Sequence, residues 1–500
     1  MKYILTTLLL LAGFSCLHAQ SFEEYKKQRE AAFGAYKGQK ESEFDAYRTR
    51  INTEFADFMR RSWEWKESRK AVRTPFDDDK RKITLPDLTN FQMDEDEVIT
   101  IKIDPIKIDD SKPITVTPIK YKPMPKEQKI TFQFYGAPCE VRFDPSNKCR
   151  LADARENAVA DMWMKLSTEA YNNMLYDIQQ ISQRLQLCDW AYLKLSETVA
   201  DLVYGKGTNE SAVLAGFIMN QSGYRIRMGR TKDEKLYLLI GMDQLIASRP
   251  YWMIDGVPYS LTKDEKVGGL FFIDNKFPDE KNLSLSIEKE PLFPRKSTQQ
   301  RVLRSRAFED MSYTLSFNEN LLNFYSDYPK PVVLHDTGYQ TAYYYANMPI
   351  SKDVKNALYP ELKKSIAGKT TLEAVTVILN FVQTTMVYGY DSEIWGTDRP
   401  FFPEETLWYP YSDCEDRGIL FSRLVRDLVG AETVLLFYPE TADSSAHIAA
   451  AVCVNENLNG DYLMVNGKRF MVCEPTFSSA QPVGKSGFDY SNVSVIMLSK

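Results

Sequence analysis

The stretch 409–417, Tyr-Pro-Tyr-Ser-Asp-Cys-Glu-Asp-Arg, most constrains the fold, because there a loop turns into a helix with a cysteine in its first turn. Ser412 followed three residues later by Glu415 is a capping-box pattern, which predicts Ser412 as the N-cap and Cys414 as the second helical residue. Apolar residues then repeat at helical spacing: Ile419, Leu420, Leu424, Val425 and Leu428. The unpaired N–H groups and the positive dipole end of a helix start lower a thiol pKa. The pattern therefore predicts a nucleophilic cysteine.

Two apolar runs downstream carry a histidine and an acid. His447 opens the β-like run 447–454, and the run 469–476 predicts a second strand that stops at Glu474, because a proline follows. His335, the other histidine beyond the N-terminal leader, has no metal-ligand neighbour and is interpreted as structural. The chain thus has, in order, a cysteine at a helix start, a histidine on a strand and an acid at a strand end.

This order resembles the transglutaminase-like superfamily, whose papain-like core carries Cys, His and Asp in the same sequence. Asp413-Cys-Glu-Asp-Arg417 is similar to its cysteine box, Ala446-His-Ile448 to its histidine box, and Cys473-Glu-Pro-Thr476 to its Asp-Pro-Thr box. The resemblance covers roughly residues 370 to 480.

The resemblance implies a role for each of three side chains. Cys414 is the nucleophile, His447 the base that takes and returns its proton, and Glu474 the group that orients the imidazole, with neither cofactor nor metal. The family usually has Asp where this chain has the longer Glu474. The backbone N–H of Cys414 is one expected oxyanion donor, and the stretch 405–409 is the expected source of another.

Residues 1–19 have the pattern of a secretory signal: a lysine near the start, an apolar run and a small residue at Ala19. The mature chain is therefore expected to be exported, to a Gram-negative periplasm. Lipid attachment at Cys16 is not expected, because the residues before it fit the lipoprotein pattern poorly. No later run approaches the roughly 18 apolar residues of a membrane helix, so no transmembrane segment is expected in the mature chain.

Aromatic pairs recur every eleven residues within 20–70: Phe22 and Tyr25, Phe33 and Tyr36, Phe44 and Tyr47, Phe55 and Phe58. An eleven-residue repeat keeps one stripe in register along a helix, so this region is predicted to be one long amphipathic helix. Its aromatic stripe is expected to pack on the chain's own body or to self-associate. Docking of a protein partner is the alternative.

Seven prolines and two acidic clusters make 71–127 an expected extended linker, in which the alternating run 98–103 could add an edge strand. Residues 266–360 alternate short β-like runs with polar turns and are expected to form a β-rich connector. The net charge of −6, with interspersed signs, gives no nucleic-acid signature. Cys139 and Cys149, which flank a short loop, are the best disulfide candidates, whereas Cys453 and Cys473 are expected to be buried thiols.

The α/β region 128–265 repeats features of the cysteine-containing region. Leu202-Val-Tyr-Gly echoes Met386-Val-Tyr-Gly, and the run that starts at Asn209 echoes the run that starts at Cys414. We hypothesise a second transglutaminase-like unit without its chemistry, with Asn209 at the cysteine position and Tyr237 near the histidine position. Chance similarity between two α/β stretches is the alternative.

The expected fold is therefore α+β: a papain/transglutaminase-like domain over 361–500, a degenerate copy before it, and a long N-terminal helix. The expected function is an exported cysteine hydrolase, a peptidase or amidase, or an acyltransferase that cleaves amide bonds through a thioester. Its substrate would be a peptide, a protein or a peptidoglycan fragment, with water as the default acceptor. The alternative is a non-catalytic binding or assembly scaffold built on papain-like domains.

Overall fold

The computed structural model describes residue 27 and residues 42–70, 99–101 and 120–499, with gaps at 264, 276, 278–279, 334–340, 397, 442–444, 455–458 and 491. The expected signal 1–19, most of the first half of the expected long helix, most of the linker and His335 lie outside the described residues.

The described fold mixes helices and strands, as an α+β chain should. The helices are α1 (42–59), α2 (Glu156–Leu166), α3 (Asn172–Leu185), α4 (Asp189–Tyr204), α5 (Asn209–Gln221), α6 (Glu319–Ser326), α7 (Ala342–Asn347), α8 (Lys352–Ile366), α9 (Thr371–Thr385), α10 (Asp391–Ile394), α11 (Pro403–Trp408) and α12 (Cys414–Leu428). No helix in the described ranges combines the length and apolar character needed to cross a bilayer.

The strands are β1 (Glu64–Glu67), β2 (Arg69–Lys70), β3 (Ile99–Ile101), β4 (Gln128–Phe134), β5 (Ala137–Phe143), β6 (Ile226–Arg230), β7 (Leu236–Gly241), β8 (Leu245–Ile246), β9 (Pro250–Ile254), β10 (Val257–Leu261), β11 (Gly269–Phe272), β12 (Arg301–Arg304), β13 (Ser312–Leu315), β14 (Pro331–Val332), β15 (Val387–Tyr388), β16 (Tyr411–Ser412), β17 (Thr433–Tyr438), β18 (His447–Cys453), β19 (Tyr462–Val465), β20 (Lys468–Cys473) and β21 (Ser494–Met497). The region 266–360, expected to be β-rich, thus also holds helices α6 and α7 and the first part of α8.

The first large sheet has the order β1-β11-β6-β7-β10-β9-β2. Its two edge strands, β1 and β2, are separated in sequence only by Ser68, so one short segment pairs with both edges and closes the sheet on itself. Apolar side chains such as Leu239, Trp252 and Leu270 form a separate cluster within this sheet. Helix α5 packs on β6 and β7 from the other side.

The second large sheet has the order β21-β17-β18-β20-β19-β3. Helix α12 packs on β17 and β18, and α9 packs on α12. Alternation along β18 sends Ile448, Ala450 and Val452 into the main core with α12, while Ala449 and Ala451 join a second cluster on the opposite face. The short strand β3 pairs in parallel with β19, so the run expected to supply an edge strand does so over 99–101.

The two sheets share one strand order. Taken from β11 to β9, the first reads β11-β6-β7-β10-β9, and the second reads β21-β17-β18-β20-β19, with every neighbouring pair antiparallel. We call the first sheet with helix α5 the first unit, and the second sheet with helix α12 the second unit. In each unit the helix precedes the first of the two central strands and packs on both, β6 and β7 or β17 and β18. The two units therefore have the same order and connection of helix and strands.

Helix α1 docks on the first unit through a buried polar side chain. Asn52 accepts hydrogen bonds from Trp163 Nε1 at 3.1 Å and Gln221 Nε2 at 2.9 Å. Phe55 packs on Trp163, with ring centroids 4.7 Å apart. The predicted helix over 20–70 is wrong at its C-terminal end, because residues 64–70 form strands β1 and β2 that satisfy the sheet edges.

The six cysteines of the described ranges are unbridged, so Cys139 and Cys149, the best disulfide candidates, do not form a disulfide. Cys139 lies 3.6 Å from the Arg184 guanidinium, and Cys149 lies 3.3 Å from the Tyr204 hydroxyl. The two thiols therefore have separate polar partners, and the spacing of the two residues in sequence does not bring them into a bridge.

Candidate active site

Cys414 is the first residue of α12, one position nearer the helix start than expected. The N-cap is Asp413: its carboxylate accepts from Asp416 N at 3.5 Å, and the Asp416 carboxylate accepts from Asp413 N at 3.3 Å. The predicted N-cap, Ser412, instead belongs to β16 and pairs with Tyr388 of β15. The prediction was wrong by one residue because two Asp residues make the same reciprocal pair that Ser412 and Glu415 could make.

His447 and Glu474 form a buried pair. His447 Nε2 donates to Glu474 Oε2 at 2.9 Å, and their side chains are 1% and 0% exposed. The other carboxylate oxygen, Oε1, accepts from Thr476 N at 3.0 Å and Thr476 Oγ1 at 2.5 Å. Gln383 of α9 donates to the Glu474 backbone oxygen at 2.9 Å. The extra methylene of Glu474, relative to Asp, is thus accommodated with both carboxylate oxygens used.

The hydrogen bond between His447 and Glu474 determines which ring nitrogen of His447 carries the hydrogen. A carboxylate can only accept, so Nε2 carries the hydrogen and Nδ1 presents its lone pair. Nδ1 is buried and makes no hydrogen bond to any described residue. The imidazole stacks on Phe488, with ring centroids 4.4 Å apart and planes 15° from parallel, which fixes the ring orientation.

Helix α12 crosses β18 one turn after the cysteine. A Cβ placed on Gly418 would lie 3.1 Å from Ile448 Cγ2 and 3.6 Å from Ala449 O, so glycine allows this close approach beside His447. The Cys414 thiol donates to Glu415 Oε2 at 3.4 Å rather than to His447. The structure therefore brings His447 and Glu474 into direct contact and packs the cysteine helix on the histidine strand, without a Cys414–His447 hydrogen bond.

Arg417 links the cysteine helix to the turn that holds the acid. Its guanidinium donates to Ser412 Oγ at 3.2 Å, Thr476 O at 3.3 Å and Pro475 O at 3.5 Å. Arg417 is 1% exposed, and burial lowers its pKa to about 10. Because Thr476 in turn donates to Glu474, the helix start and the His447–Glu474 pair form one connected network.

Carboxylates surround the start of α12. Asp391, Asp413 and Asp416 bring oxygens within 4.8 Å of one another, and Asp391 forms a second such group with Asp398 and Glu415. These oxygens are the donors that hard cations such as Ca²⁺ use. Burial, and then the charge of Asp391, raise the pKa of Asp416 well above its usual value, so protonation relieves repulsion in the first group.

The same carboxylates hold the preceding loop. Asp416 Oδ1 accepts from Phe401 N at 2.8 Å, and Asp391 accepts from Arg399 N. Aromatic side chains are closely packed in this loop: Trp395, Phe401 and Tyr409 each lie with their ring centroid 5.0–5.1 Å from the Arg399 guanidinium. These aromatic rings therefore pack around an arginine of the same loop.

The stretch 405–409, the expected source of a second oxyanion donor, lies mostly in α11. The backbone N–H groups of Glu405, Thr406 and Tyr409 donate to carbonyls within this short helix or its cap. The Trp408 ring packs on Phe317 at 5.5 Å. The backbone donors at these three positions are thus already used.

Sequence reasoning missed the supporting residues Arg417, Thr476 and Gln383. Arg417 and Thr476 lie inside the quoted cysteine and acid boxes, so their position close to Cys414 and Glu474 was a usable signal. Gln383 lies 91 residues before Glu474, and nothing in the sequence marks that contact.

No protein-family model matches this chain, and no curated protein matches it.

Proposed function

We propose that the chain is an exported transglutaminase-like cysteine hydrolase, a peptidase or amidase, that cleaves an amide bond through a thioester. The observation that carries the proposal is the buried His447–Glu474 pair at 2.9 Å, with His447 Nδ1 left as an acceptor. The cysteine at the start of the helix packed on β18 supports it further. The family named in this proposal rests on the resemblance of the three sequence boxes.

The chemistry follows from these groups. His447 Nδ1 takes the Cys414 thiol proton, and the thiolate attacks the amide carbonyl carbon. The tetrahedral oxyanion then collapses as the C–N bond breaks, and the imidazolium returns the proton to the leaving amine. Water next gives its proton to His447 and attacks the thioester, which releases a carboxylic acid and restores the thiol. Glu474 stabilises the imidazolium in both halves without accepting its proton.

The alternative function is a binding or assembly scaffold, and burial favours it. Cys414 is 0% exposed and His447 is 1% exposed, so a substrate reaches them only when neighbouring side chains move. The thiol's hydrogen bond to Glu415 also differs from a resting Cys–His pair. A hydrolase must break the hydrogen bond between the thiol and Glu415 and expose Cys414 and His447 during turnover, whereas a scaffold can keep both as they are.

A reactivity measurement separates the two functions. The rate of Cys414 alkylation by iodoacetamide is followed between pH 5 and 9 by mass spectrometry, in the wild type and in His447→Gln. The hydrolase proposal expects fast alkylation well below pH 8 that the substitution abolishes, because the imidazole holds the thiolate. Equal and slow rates in both proteins would contradict the proposal and favour the scaffold.

Cys453 is the internal control for this experiment. It is partly exposed and lies on the same strand as His447, and burial raises its thiol pKa. Its alkylation rate should be the same in wild type and variant. A change at Cys453 would show that the substitution disturbs the strand rather than the chemistry.

The proposal extends to the first unit as a copy without the chemistry. Pairing registers support equivalence of Leu236 with His447, since each begins its strand three residues before the position opposite Leu261 or Cys473. Asn209 begins α5 as Cys414 begins α12. On this register Leu236, rather than the neighbouring Tyr237, corresponds to the histidine.

Asn209 uses its amide where the other unit has its thiol. Its Nδ2 donates to Glu234 O at 2.9 Å, and its Oδ1 accepts from Leu236 N at 2.8 Å. These two bonds fasten the helix start to the strand start. The proposed role of this unit is therefore binding or support rather than catalysis.

A further inference from the structure

Two arginines from distant parts of the chain meet beside the candidate active site. Arg417 donates to Thr476 O at 3.3 Å, and Arg306, which follows β12, donates to Ser478 O at 3.4 Å. Two residues of chain span at most about 7 Å, so the two guanidiniums contact neighbouring carbonyls just after Glu474. Burial, and then the charge of Arg306, lower the pKa of Arg417, as expected for two like charges that lie close together.

Neither guanidinium forms a salt bridge with a described residue. Arg306 is exposed, and it donates to Met386 O at 2.7 Å and Gln383 O at 2.8 Å as well as to Ser478 O, so three of its five N–H groups meet neutral carbonyls. Arg417 is 1% exposed, and its Nη2 has no acceptor within the described ranges. The two arginines thus bring positive charge and unused donors to one place, which suits an anionic ligand.

Part of the hydrogen bonding of Arg306 has a structural reason. Helix α9 ends at Thr385, and arginine side chains often satisfy the last carbonyls of a helix, as Arg306 does at Gln383 and Met386. The bond to Ser478 lies outside this cap. It places the exposed guanidinium at the segment that follows the acid of the candidate site.

An exposed apolar pair lies next to Arg306. Val387 directly follows Met386, and it pairs in parallel with Tyr411 of β16. The two side chains are 48% and 42% exposed, and in-register neighbours on adjacent strands lie about 4.8 Å apart on one face. Tyr411 is three residues before Cys414, which is at most about 11 Å along the chain. We call Arg306, Val387 and Tyr411 the rim patch.

We propose that the rim patch binds the part of the substrate next to the scissile amide, and that this part is a peptide segment with an apolar side chain and a carboxylate. The carboxylate accepts from Arg306, with the charge of Arg417 behind it, and the apolar side chain lies on Val387 and Tyr411. This proposal rests on the proposed hydrolysis, because it names the substrate class of the same site. The rim patch is exposed whereas Cys414 is buried, so the substrate binds here before the thiol becomes accessible.

The test compares two alkylating compounds that differ only in charge. N-iodoacetyl-glycyl-L-leucine carries a carboxylate, and its C-terminal amide does not; with either, the Cys414 thiolate attacks the methylene carbon and iodide leaves. Site-resolved mass spectrometry gives the two rates, each divided by the rate with free cysteine. The wild type should react at least about threefold faster with the acid than with the amide, because only the acid forms an ion pair with Arg306.

Arg306→Gln should bring the acid-to-amide ratio to about one. A purely structural role of Arg306 at the end of α9 would change the two rates alike and leave their ratio unaltered. A ratio near one in the wild type, or the wild-type ratio in Arg306→Gln, would therefore overturn the proposal.

Arg304→Gln is the matched control. Arg304 is an exposed arginine at the end of β12, so its replacement removes the same charge two residues away, and the ratio should stay at the wild-type value. An equal fall in Arg304→Gln would indicate a general charge effect and overturn the assignment to Arg306.

Salt dependence decides if Arg306→Gln does not fold. The wild-type ratio should fall towards one between about 0.05 and about 0.5 M NaCl, because salt screens an exposed ion pair, and a ratio independent of salt would refute the proposal. Failure of the hydrolysis itself is seen separately. A rate of Cys414 alkylation that does not depend on His447 refutes the hydrolase, whatever the acid-to-amide ratio.

Discussion

Replacing Glu474 with Gln should put the His447 proton on the wrong nitrogen. Thr476 donates two hydrogen bonds to Glu474 Oε1, so the carbonyl oxygen of Gln must take that position. In the wild type, His447 Nε2 donates to Glu474 Oε2 at 2.9 Å. In the variant the Gln NH₂ group takes the place of Oε2, and this donor cannot form a hydrogen bond with a second N–H donor on Nε2. The imidazole responds by carrying its hydrogen on Nδ1, the atom that should take the thiol proton.

The expected change in the alkylation rate follows from the fraction of Cys414 that is present as thiolate. A cysteine without a base has a pKa near 8.5 and is only about 3% thiolate at pH 7, whereas a Cys–His ion pair is almost fully ionised. Alkylation of Cys414 in Glu474→Gln should therefore be about 30-fold slower at pH 7, equivalent to about 2 kcal/mol, and the difference should vanish above about pH 9.

The assay is the site-resolved alkylation rate across pH, and access to the buried thiol cancels in the ratio of rates. Glu432→Gln is the matched control, because Glu432 forms a surface pair with Lys468 at 2.5 Å on the same sheet unit. It should leave the rate unchanged, since such pairs contribute little. Wild-type reactivity at pH 7 in Glu474→Gln would refute the orienting role of Glu474.

Three further predictions concern stability. Ile448→Ala should lower the free energy of unfolding by about 2–5 kcal/mol in urea, because Ile448 is fully buried where α12 meets β18; a loss below about 1 kcal/mol would contradict that contact. Arg417→Lys should cost about 2 kcal/mol in urea and slow Cys414 alkylation, because one ammonium cannot reach all three oxygens; wild-type values in both assays would argue against the network. Burial raises the pKa of Glu404 from 4.5 to about 7, so the native state binds more protons between these values and stability falls as pH rises. Glu404→Gln should thus gain up to about 3 kcal/mol over wild type at pH 8 and nothing at pH 4.5, whereas equal urea midpoints at pH 8 would contradict it.

Local patterns predicted the elements that carry the candidate site. The strand predicted from the apolar run at His447 begins there, the strand predicted to stop at Glu474 ends at Cys473, and the helix predicted from its apolar spacing begins at Cys414, one residue later than expected. The N-cap was misplaced because two capping-box patterns overlap within five residues, Ser412 with Glu415 and Asp413 with Asp416, and the sequence does not show which of them forms. The pairing of the Ser412 backbone with β15 excludes Ser412 as the N-cap.

Longer-range features were not accessible to the same reasoning. Residues 64–70 were included in the predicted helix although the aromatic repeat ends at Phe58. They pair instead with strands some two hundred residues away, and that tertiary gain overrides local propensity. The contact of Gln383 with the Glu474 backbone likewise needs the packed fold. The repeated chain path was suggested by short echoes, but only the pairing registers identify Leu236 rather than Tyr237 as the residue aligned with His447.

The segment 64–70 has a consequence for the order of assembly. It is made early by the ribosome, but its partners in β9 and β11 extend to residue 272, so it must wait for roughly two hundred more residues. Strand β3 waits longer still, since its partner β19 begins at Tyr462. Contacts of such sequence separation form slowly. Segments 64–70 and 99–101 therefore pair only after these partners have been made, and until then the sheet edges that they cover are open to pairing with other chains.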